Sequence, residues 1–242
     1  MKISVVVPAF NEEKLITESL RHINAAREAI AESGWESELI VCDNNSTDRT
    51  AELAREAGAT VVFEAINQIG RARNTGAAAA QGDWLVFVDA DSHPDATLLG
   101  ALADRIESGR WIGGGCRVAM DRPLRWRWRA WVHAWNLISR WMKLAAGSFL
   151  ACDASAFREV GGFDDRFFAG EEVDLSIRLK KVGRKRGRRF FILKEVLTTS
   201  SRKVNLYSGR EILGLLTRIV RLGPTGFQTN RDACGFWYDG RR

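Results

Sequence analysis

No stretch of this 242-residue chain approaches the ~18 consecutive apolar residues that a membrane-spanning helix needs, so a bilayer crossing is not expected. Cysteine is scarce: Cys42, Cys116, Cys152 and Cys234 lie far apart, in no metal-ligand spacing. The first residues, Met1-Lys2-Ile3-Ser4-Val5, carry no apolar signal core followed by small residues and a cleavage site. Reduced thiols and a cytoplasmic location are therefore the expectation. No Gly-X-Gly-X-X-Gly follows an apolar strand, which argues against a dinucleotide-binding dehydrogenase. Internal repeats and low-complexity linkers are absent too. What is present is ordinary for a folded domain: 45% hydrophobic and 27% charged residues exclude disorder, collagen-like repeats and coiled coil as descriptions of the whole.

Charge is unevenly spread beneath a net value of +6. Residues 1–100 hold 8 Lys/Arg against 16 Asp/Glu, whereas residues 101–242 hold 28 against 14. A basic second half suits an anionic partner, be it a phosphate-bearing ligand, a membrane surface or nucleic acid, and it equally suits a well-solvated face.

The first third alternates strand and helix signals. Ile3–Val7 is an apolar run stopped at Pro8, and Ile16, Leu20, Ile23 and Ile30 then recur at helical spacing from near Glu12. Leu39–Cys42 is the next run. It ends in Asp43-Asn44-Asn45-Ser46-Thr47-Asp48, a turn that caps a helix over Arg49–Ala57, with Gly58 as its stop. Thr60–Phe63 reads as a third strand, Ala72–Ala80 as a small-residue helix and Trp84–Val88 as a fourth strand. This order predicts a parallel sheet with helices on both faces. Beyond residue 110 the pattern loosens: Gly113-Gly114-Gly115 marks a bulge or close backbone approach in a strand. A Trp- and Arg-rich helix covers Leu124–Ala145, a shorter one Glu171–Val182 up to Gly183, a strand Phe190–Leu193, and a last amphipathic helix 208–222. One domain is expected over 1–242: a nucleotide-binding half (1–110), an acceptor half (111–200) and a C-terminal helical extension (201–242).

Asp89-Ala90-Asp91 ends an apolar strand, and residues i and i+2 of an extended chain point the same way. Both carboxylates can then meet one ligand in the crevice beyond the strand ends, where hard oxygen donors suit Mg²⁺ or Mn²⁺ at phosphates. An isolated Asp-X-Asp is more often a capping turn, here into the helix after Pro94. Asp43 and Asn44 should face the same crevice, where they can read a base edge or serve as turn residues. Pro8, Ala9, Phe10 and Asn11 end the first strand with backbone free to approach a flat ring. Arg71 and Arg73, with Asn74, open a helix and bring guanidinium groups toward a diphosphate.

In order and spacing, Val5–Glu13, Asp43–Asp48, Arg71–Gly76, Asp89–Asp91 and the later Gly161-Gly162-Phe163-Asp164-Asp165 and Gly170–Leu179 resemble the family 2 glycosyltransferases of GT-A fold. The resemblance covers residues 3–183. It implies an α/β fold with a Rossmann-like, mostly parallel sheet flanked by helices. It also implies a nucleotide-diphosphate sugar donor, uridine-linked in typical members, bound by Pro8, Ala9, Phe10, Asn11, Glu12, Asp43, Asn44, Arg71, Arg73, Asn74, Asp89 and Ala90. Asp91 would hold the metal, with Asp89 nearer the ribose and diphosphate and able to share the ion. The usual base position, aspartate in the family pattern, is Glu172 here, and Glu171 beside it is the alternative. Asn44 replaces a second aspartate. Histidine never occurs after His133, so the late histidine ligand of some relatives has no counterpart. His93, just before Pro94, fits a turn better than a metal site.

The expected reaction is one inverting displacement, in which a carboxylate takes the acceptor's proton while metal and arginine meet the charge on the leaving diphosphate. A nucleotidyltransferase would need a Gly-rich basic loop after the first strand, which Pro8–Asn11 does not supply. A sugar-nucleotide-binding protein without transfer activity is the other alternative, because Glu171-Glu172 departs from the family pair. Nucleic acid is not an expected partner. Trp128, Trp131 and Trp135 fall on one face of the long helix, with arginines around them. That composition suits a membrane interface and an acceptor borne on a lipid, placing the protein peripherally on the inner membrane face; the alternative, favoured because buried aromatics dominate cores, is a face packed on the sheet or across a dimer. The eight Lys/Arg of Arg178–Arg189 read as a solvated helix end.

Overall fold

The computed structural model describes residues 1–32, 34–124, 126–202, 228–232 and 234; the side chains of Arg127 and Trp131 are outside the description, as is the helix expected over 208–222. Its centre is an eight-stranded sheet in the order β3-β2-β1-β4-β7-β6-β8-β5. Strands β1 (Lys2–Ala9), β2 (Glu36–Asp43), β3 (Thr60–Phe63) and β4 (Trp84–Val88) are joined through α1 (Ile16–Ala31), α2 (Thr50–Glu56) and α3 (Ile69–Ala79). Each helix returns the chain to the same edge, so these four strands run parallel. After β4 come the two-residue β5 (Ser92–His93), α4 (Ala96–Glu107), β6 (Trp111–Met120), α5 (Trp126–Met142) and β7 (Phe149–Asp153). Then follow α6 (Ala154–Glu159), α7 (Glu171–Lys185) and β8 (Arg189–Thr199). Here the pairing is mixed: β7 lies antiparallel between β4 and β6, while β8 runs parallel to β6. The parallel arrangement thus holds for the first half of the chain and gives way to a mixed sheet in the second.

Two buried apolar clusters occupy the two faces. One joins α1 and α4 to the sheet through Ile16, Leu20, Ile23, Leu98, Leu99 and Leu102. The other sets α3, α6 and α7 against the opposite face through Phe87, Phe157, Phe163, Leu175 and Leu179. The glycines of β6 act as the sequence suggests: the register slips between Trp111 and Gly113 and between Gly115 and Arg117. A Cβ on Gly114 would also sit 2.1 Å from the Phe191 ring. Gly183 departs from expectation, because α7 continues through it. A side chain there would meet Ile112 and the Arg188 carbonyl at 2.8 Å, so this glycine allows close packing, and the helix stops before Gly187 at φ +66°. Helix α5 is shorter than the composition suggests, since Lys143 takes a left-handed φ of 55° just after it.

All four cysteines are buried, and burial pushes the Cys42 thiol up to about 12. Among the described residues no helix is long and apolar enough to cross a membrane.

Candidate active site

The parallel register brings Ala9, Asp43 and Phe63 level at one end of the sheet, with Val88 ending at the same side. The first two motifs are clasped together there. Asn11 adopts a left-handed φ of 52°, which asparagine tolerates, and its Oδ1 accepts from the Thr47 N–H at 2.8 Å. The Ser46 hydroxyl in turn accepts from the Asn11 N–H at 3.0 Å. Asp43 folds its own turn by accepting from the Ser46 N–H, and its side chain is buried. Asn44 is fully engaged. Its amide donates to the Glu64 and Ile66 carbonyls at 3.1 and 2.6 Å, and its Oδ1 accepts from the Gln68 N–H at 2.9 Å. It staples β2 to the approach of α3, which explains an amide at this position: a carboxylate could accept from Gln68 but not donate to two carbonyls.

Arg71 and Arg73 divide. Arg71 lies along the surface between Glu64 (3.6 Å) and Asp165 (3.2 Å). Arg73 is buried at the centre of a knot: it donates to Glu171 at 2.5 Å, to Asp89 at 2.9 Å and to the Gly147 carbonyl at 2.8 Å. Burial alone would lower its pKa, but the carboxylates of Asp89, Glu171 and Glu172 outweigh burial and raise it. Arg73 thus organises the acidic groups around it. Asn74 likewise points inward, bonding both the N–H and the C=O of Phe163 at 2.9 Å. The close fit explains Gly162, whose added Cβ would stand 2.5 Å from the Asn74 Oδ1. Motifs 90 residues apart are thereby locked into one unit.

Gly170, at φ +76°, starts α7 and places Glu171 and Glu172 in its first turn. Their environments differ. Glu171 is buried and spent on Arg73. Glu172 is half-buried, with its carboxylate close to Gly147, where an added Cβ would lie 3.6 Å from Oε1. Desolvation, then the charge of Glu171, pushes its pKa up to about 8.

The Asp-X-Asp sits just past β4, in a turn where strand alternation no longer governs direction. Asp89 keeps partial exposure beside Arg73, Ala90 is buried, and Asp91 turns toward the end of β8. There the Thr199 hydroxyl is 3.4 Å from its Oδ1, and the Ser200 N–H donates to its carbonyl at 3.0 Å. Two partly exposed carboxylates at the strand ends form a hard-oxygen donor set that fits a divalent cation completed by waters and phosphate oxygens. Three contributors were not legible in the sequence: the Gly147 carbonyl, the β8 end, and Arg202, which pairs with the buried Glu12 at 2.7 Å. No local pattern marks them, because each contact joins segments far apart in the chain.

Among the described residues, the one group of three or more His/Cys/Asp/Glu side chains close enough to share an ion is Glu18, His22 and His93. The two imidazoles are stacked at 4.6 Å, and the Arg21 guanidinium bonds His22 at 3.1 Å.

Comparison with known proteins agrees with this geometry. The model of the family described as Glycosyl transferase family 2 matches residues 4–167. The chain is 27% identical over 208 residues to a probable glycosyltransferase of Bacillus subtilis, YdaM, covering 75% of this chain and 47% of that one. It is 32% identical over 141 residues to an undecaprenyl-phosphate 4-deoxy-4-formamido-L-arabinose transferase of Pseudomonas aeruginosa, covering 53% and 38%. The chain spans about half the length of the curated relatives it matches. Glucosyl-3-phosphoglycerate synthase from Mycobacterium tuberculosis, solved with Mn²⁺, UDP and phosphoglyceric acid, shares the fold. Its TM-score is 0.61 at 22% identity, with 97% of this chain and 78% of that one covered. The GT-A arrangement implied by the motifs is the one observed, and the chain belongs to glycosyl transferase family 2.

Proposed function

We propose that this chain transfers a sugar from a nucleotide-diphosphate donor, uridine-linked, to an acceptor hydroxyl with inversion at the anomeric carbon. The observation that carries the reading is the pair of unlike glutamates at the start of α7. Arg73 holds Glu171 in place, and Glu172 is left beside Gly147 with a raised pKa. A base poised near neutral pH is what proton removal from a sugar or lipid hydroxyl requires. Glu172 takes that proton as the hydroxyl attacks the anomeric carbon from the face opposite the leaving diphosphate, and one displacement inverts the centre. The backbone of Pro8–Asn11 and the turn at Asp43 hold the nucleoside. Arg71 or Arg73 is read as meeting the charge on the leaving diphosphate, and Arg202, paired with Glu12 at the same end of the sheet, adds a further guanidinium nearby.

Asp91, with Asp89 beside it, would hold Mn²⁺ or Mg²⁺, and that ion would supply charge neutralisation at the diphosphate. The acceptor is read as lipid-linked, in keeping with the undecaprenyl-phosphate transferase among the relatives, and the protein as cytoplasmic and peripheral to the membrane's inner face.

A thermal-shift panel of nucleotide diphosphates and their sugars, with and without Mn²⁺, tests the donor. A ligand at 100 times its Kd stabilises by about 2.7 kcal/mol, about 5–10 °C for a chain of this size. Asp91→Ala should lose the Mn²⁺-dependent part of that shift. An unchanged shift in Asp91→Ala would remove Asp91 from the metal site, and no shift with any nucleotide sugar would remove the donor class.

A further inference from the structure

Helix α5 turns its apolar side outward. Trp126, Ala130, Ala134, Leu137 and Trp141 recur every three or four residues, so they form one stripe along the helix. All are exposed, with Trp126 at 72%, Leu137 at 63% and Trp141 at 84%. Ile138 and Met142 widen the stripe on one side, and Arg129, His133 and Arg140 border it on the other. The helix is fixed in this orientation from beneath. Asn136 makes two hydrogen bonds to the Val118 backbone, at 2.9 and 3.0 Å, and Ser139 is buried against the Leu144 carbonyl. Trp128 and Trp135, part of the face singled out from spacing, are half-buried instead. Among the described tryptophans of α5, the exposed ones are Trp126 and Trp141, at its two ends.

The charge around the stripe has one sign. From Arg122 to Cys152 the sequence holds six Lys/Arg and no Asp/Glu. Beside the helix, a cleft of about 600 Å³ against β6 is lined by Arg117, Arg122 and Arg129 together with Met120, Leu124 and Val132. We infer that this face of α5 docks on an anionic lipid bilayer, with the Trp126 and Trp141 rings at headgroup level and the arginines at lipid phosphates. Asp121 is the one acidic residue lining that cleft, so a second copy of the chain fits poorly: a two-fold contact would set the same mainly cationic patch against itself. At 17 residues, about 25 Å, the helix lies along the surface and does not span it.

Docking there serves the reaction proposed above and deepens that reading, since it brings the site to a membrane-borne acceptor. Strand β6 runs into Asp121, whose N–H donates to the Thr199 carbonyl and whose carboxylate accepts from the Ser201 N–H at 2.8 Å. The next N–H in the row, Ser200, bonds Asp91. The start of α5 and the candidate metal site are thus joined through the end of β8.

Co-sedimentation of the full chain with vesicles tests the inference, comparing pure phosphatidylcholine with vesicles containing about one third phosphatidylglycerol. The protein should pellet with the anionic vesicles at low ionic strength and be released at about 1 M salt, where the Debye length is about 3 Å. Arg129→Glu/Arg140→Glu should weaken binding at least about 25-fold, at about fivefold for each positive charge lost. Leu137→Ser/Trp141→Ser, exposed substitutions that keep the circular dichroism and Tm of the parent, should weaken it at least tenfold. Protein that stays in the supernatant at low salt, or variants that pellet like the parent, would overturn the docking face. Glu172→Gln should bind vesicles normally, so docking without turnover would count against the transferase reading alone. Turnover of a water-soluble acceptor without vesicle binding would count against docking alone.

Discussion

Glu172→Gln is expected to leave donor binding intact while turnover falls by about 10²–10⁴-fold, the usual worth of a positioned base. Glu171→Gln should behave differently, because Glu171 is buried on Arg73: its loss disturbs the fold of the site before it disturbs proton transfer. The pH profile separates the two. Glu172 is held protonated well above the ordinary carboxylate range, by desolvation and then by the charge of Glu171. Turnover should therefore rise with pH along a limb near neutrality or above, and Glu172→Gln should abolish that limb. Stability runs the opposite way. Between the unfolded pKa of a glutamate and the raised folded value, the native state holds a proton that the unfolded chain has lost, so stability falls as pH rises. Glu172→Gln should accordingly raise Tm more at about pH 9 than at about pH 5. A turnover limb that survives in Glu172→Gln would assign the base elsewhere.

Arg73→Met should destabilise the protein by about 3–5 kcal/mol, since removing one partner leaves buried carboxylates uncompensated. For a chain of this length that corresponds to a Tm lower by about 6–20 °C. The guanidinium serves Asp89, Glu171 and the Gly147 carbonyl at once, so lysine, with a single ammonium, should recover only part of the loss. Arg73→Met/Glu171→Met should recover most of it, because the deepest unpaired charge goes with its partner while Asp89 still reaches water. A single variant as stable as the parent would show that the three contacts do not act as a unit; differential scanning calorimetry reads both variants.

The parallel half of the fold was legible because its strands are short apolar runs with turn chemistry at each end. Val5–Pro8, Leu39–Asp43 and Trp84–Asp89 announce both the sheet and the edge where the site lies. Strand β7 was missed: Phe149–Asp153 is five residues long and merges with the small residues before it. Helix α6, six residues, is too short to show a period. Gly183 looked like a stop signal because sequence shows the residue and hides Ile112, the neighbour that requires it. The site divides in the same way. Motif order placed the residues, but which side chain bonds which is set by contacts such as Arg73 to Glu171, 98 positions apart. The bonds of Arg73 to Glu171 and Asp89, and of Asn44 to the Glu64 and Ile66 carbonyls, leave no local signal in the sequence. The spacing of Trp128, Trp131 and Trp135 left their face of α5 open between packing and a membrane, because spacing finds faces but only packing says which one is turned out; Trp128 and Trp135 are half-buried.

The most direct test of the transferase reading is to ask which bond of a nucleotide sugar the protein breaks. Incubation with UDP-sugar and Mn²⁺ in the presence of lipid acceptor, followed by ³¹P NMR, distinguishes the possibilities. Cleavage at the anomeric carbon releases the nucleoside diphosphate, and that release should depend on Glu172 and on Asp91. Appearance of a nucleoside monophosphate, with the sugar phosphate released or passed to the acceptor, would mean chemistry at phosphorus, and would contradict the transfer reaction proposed for this site.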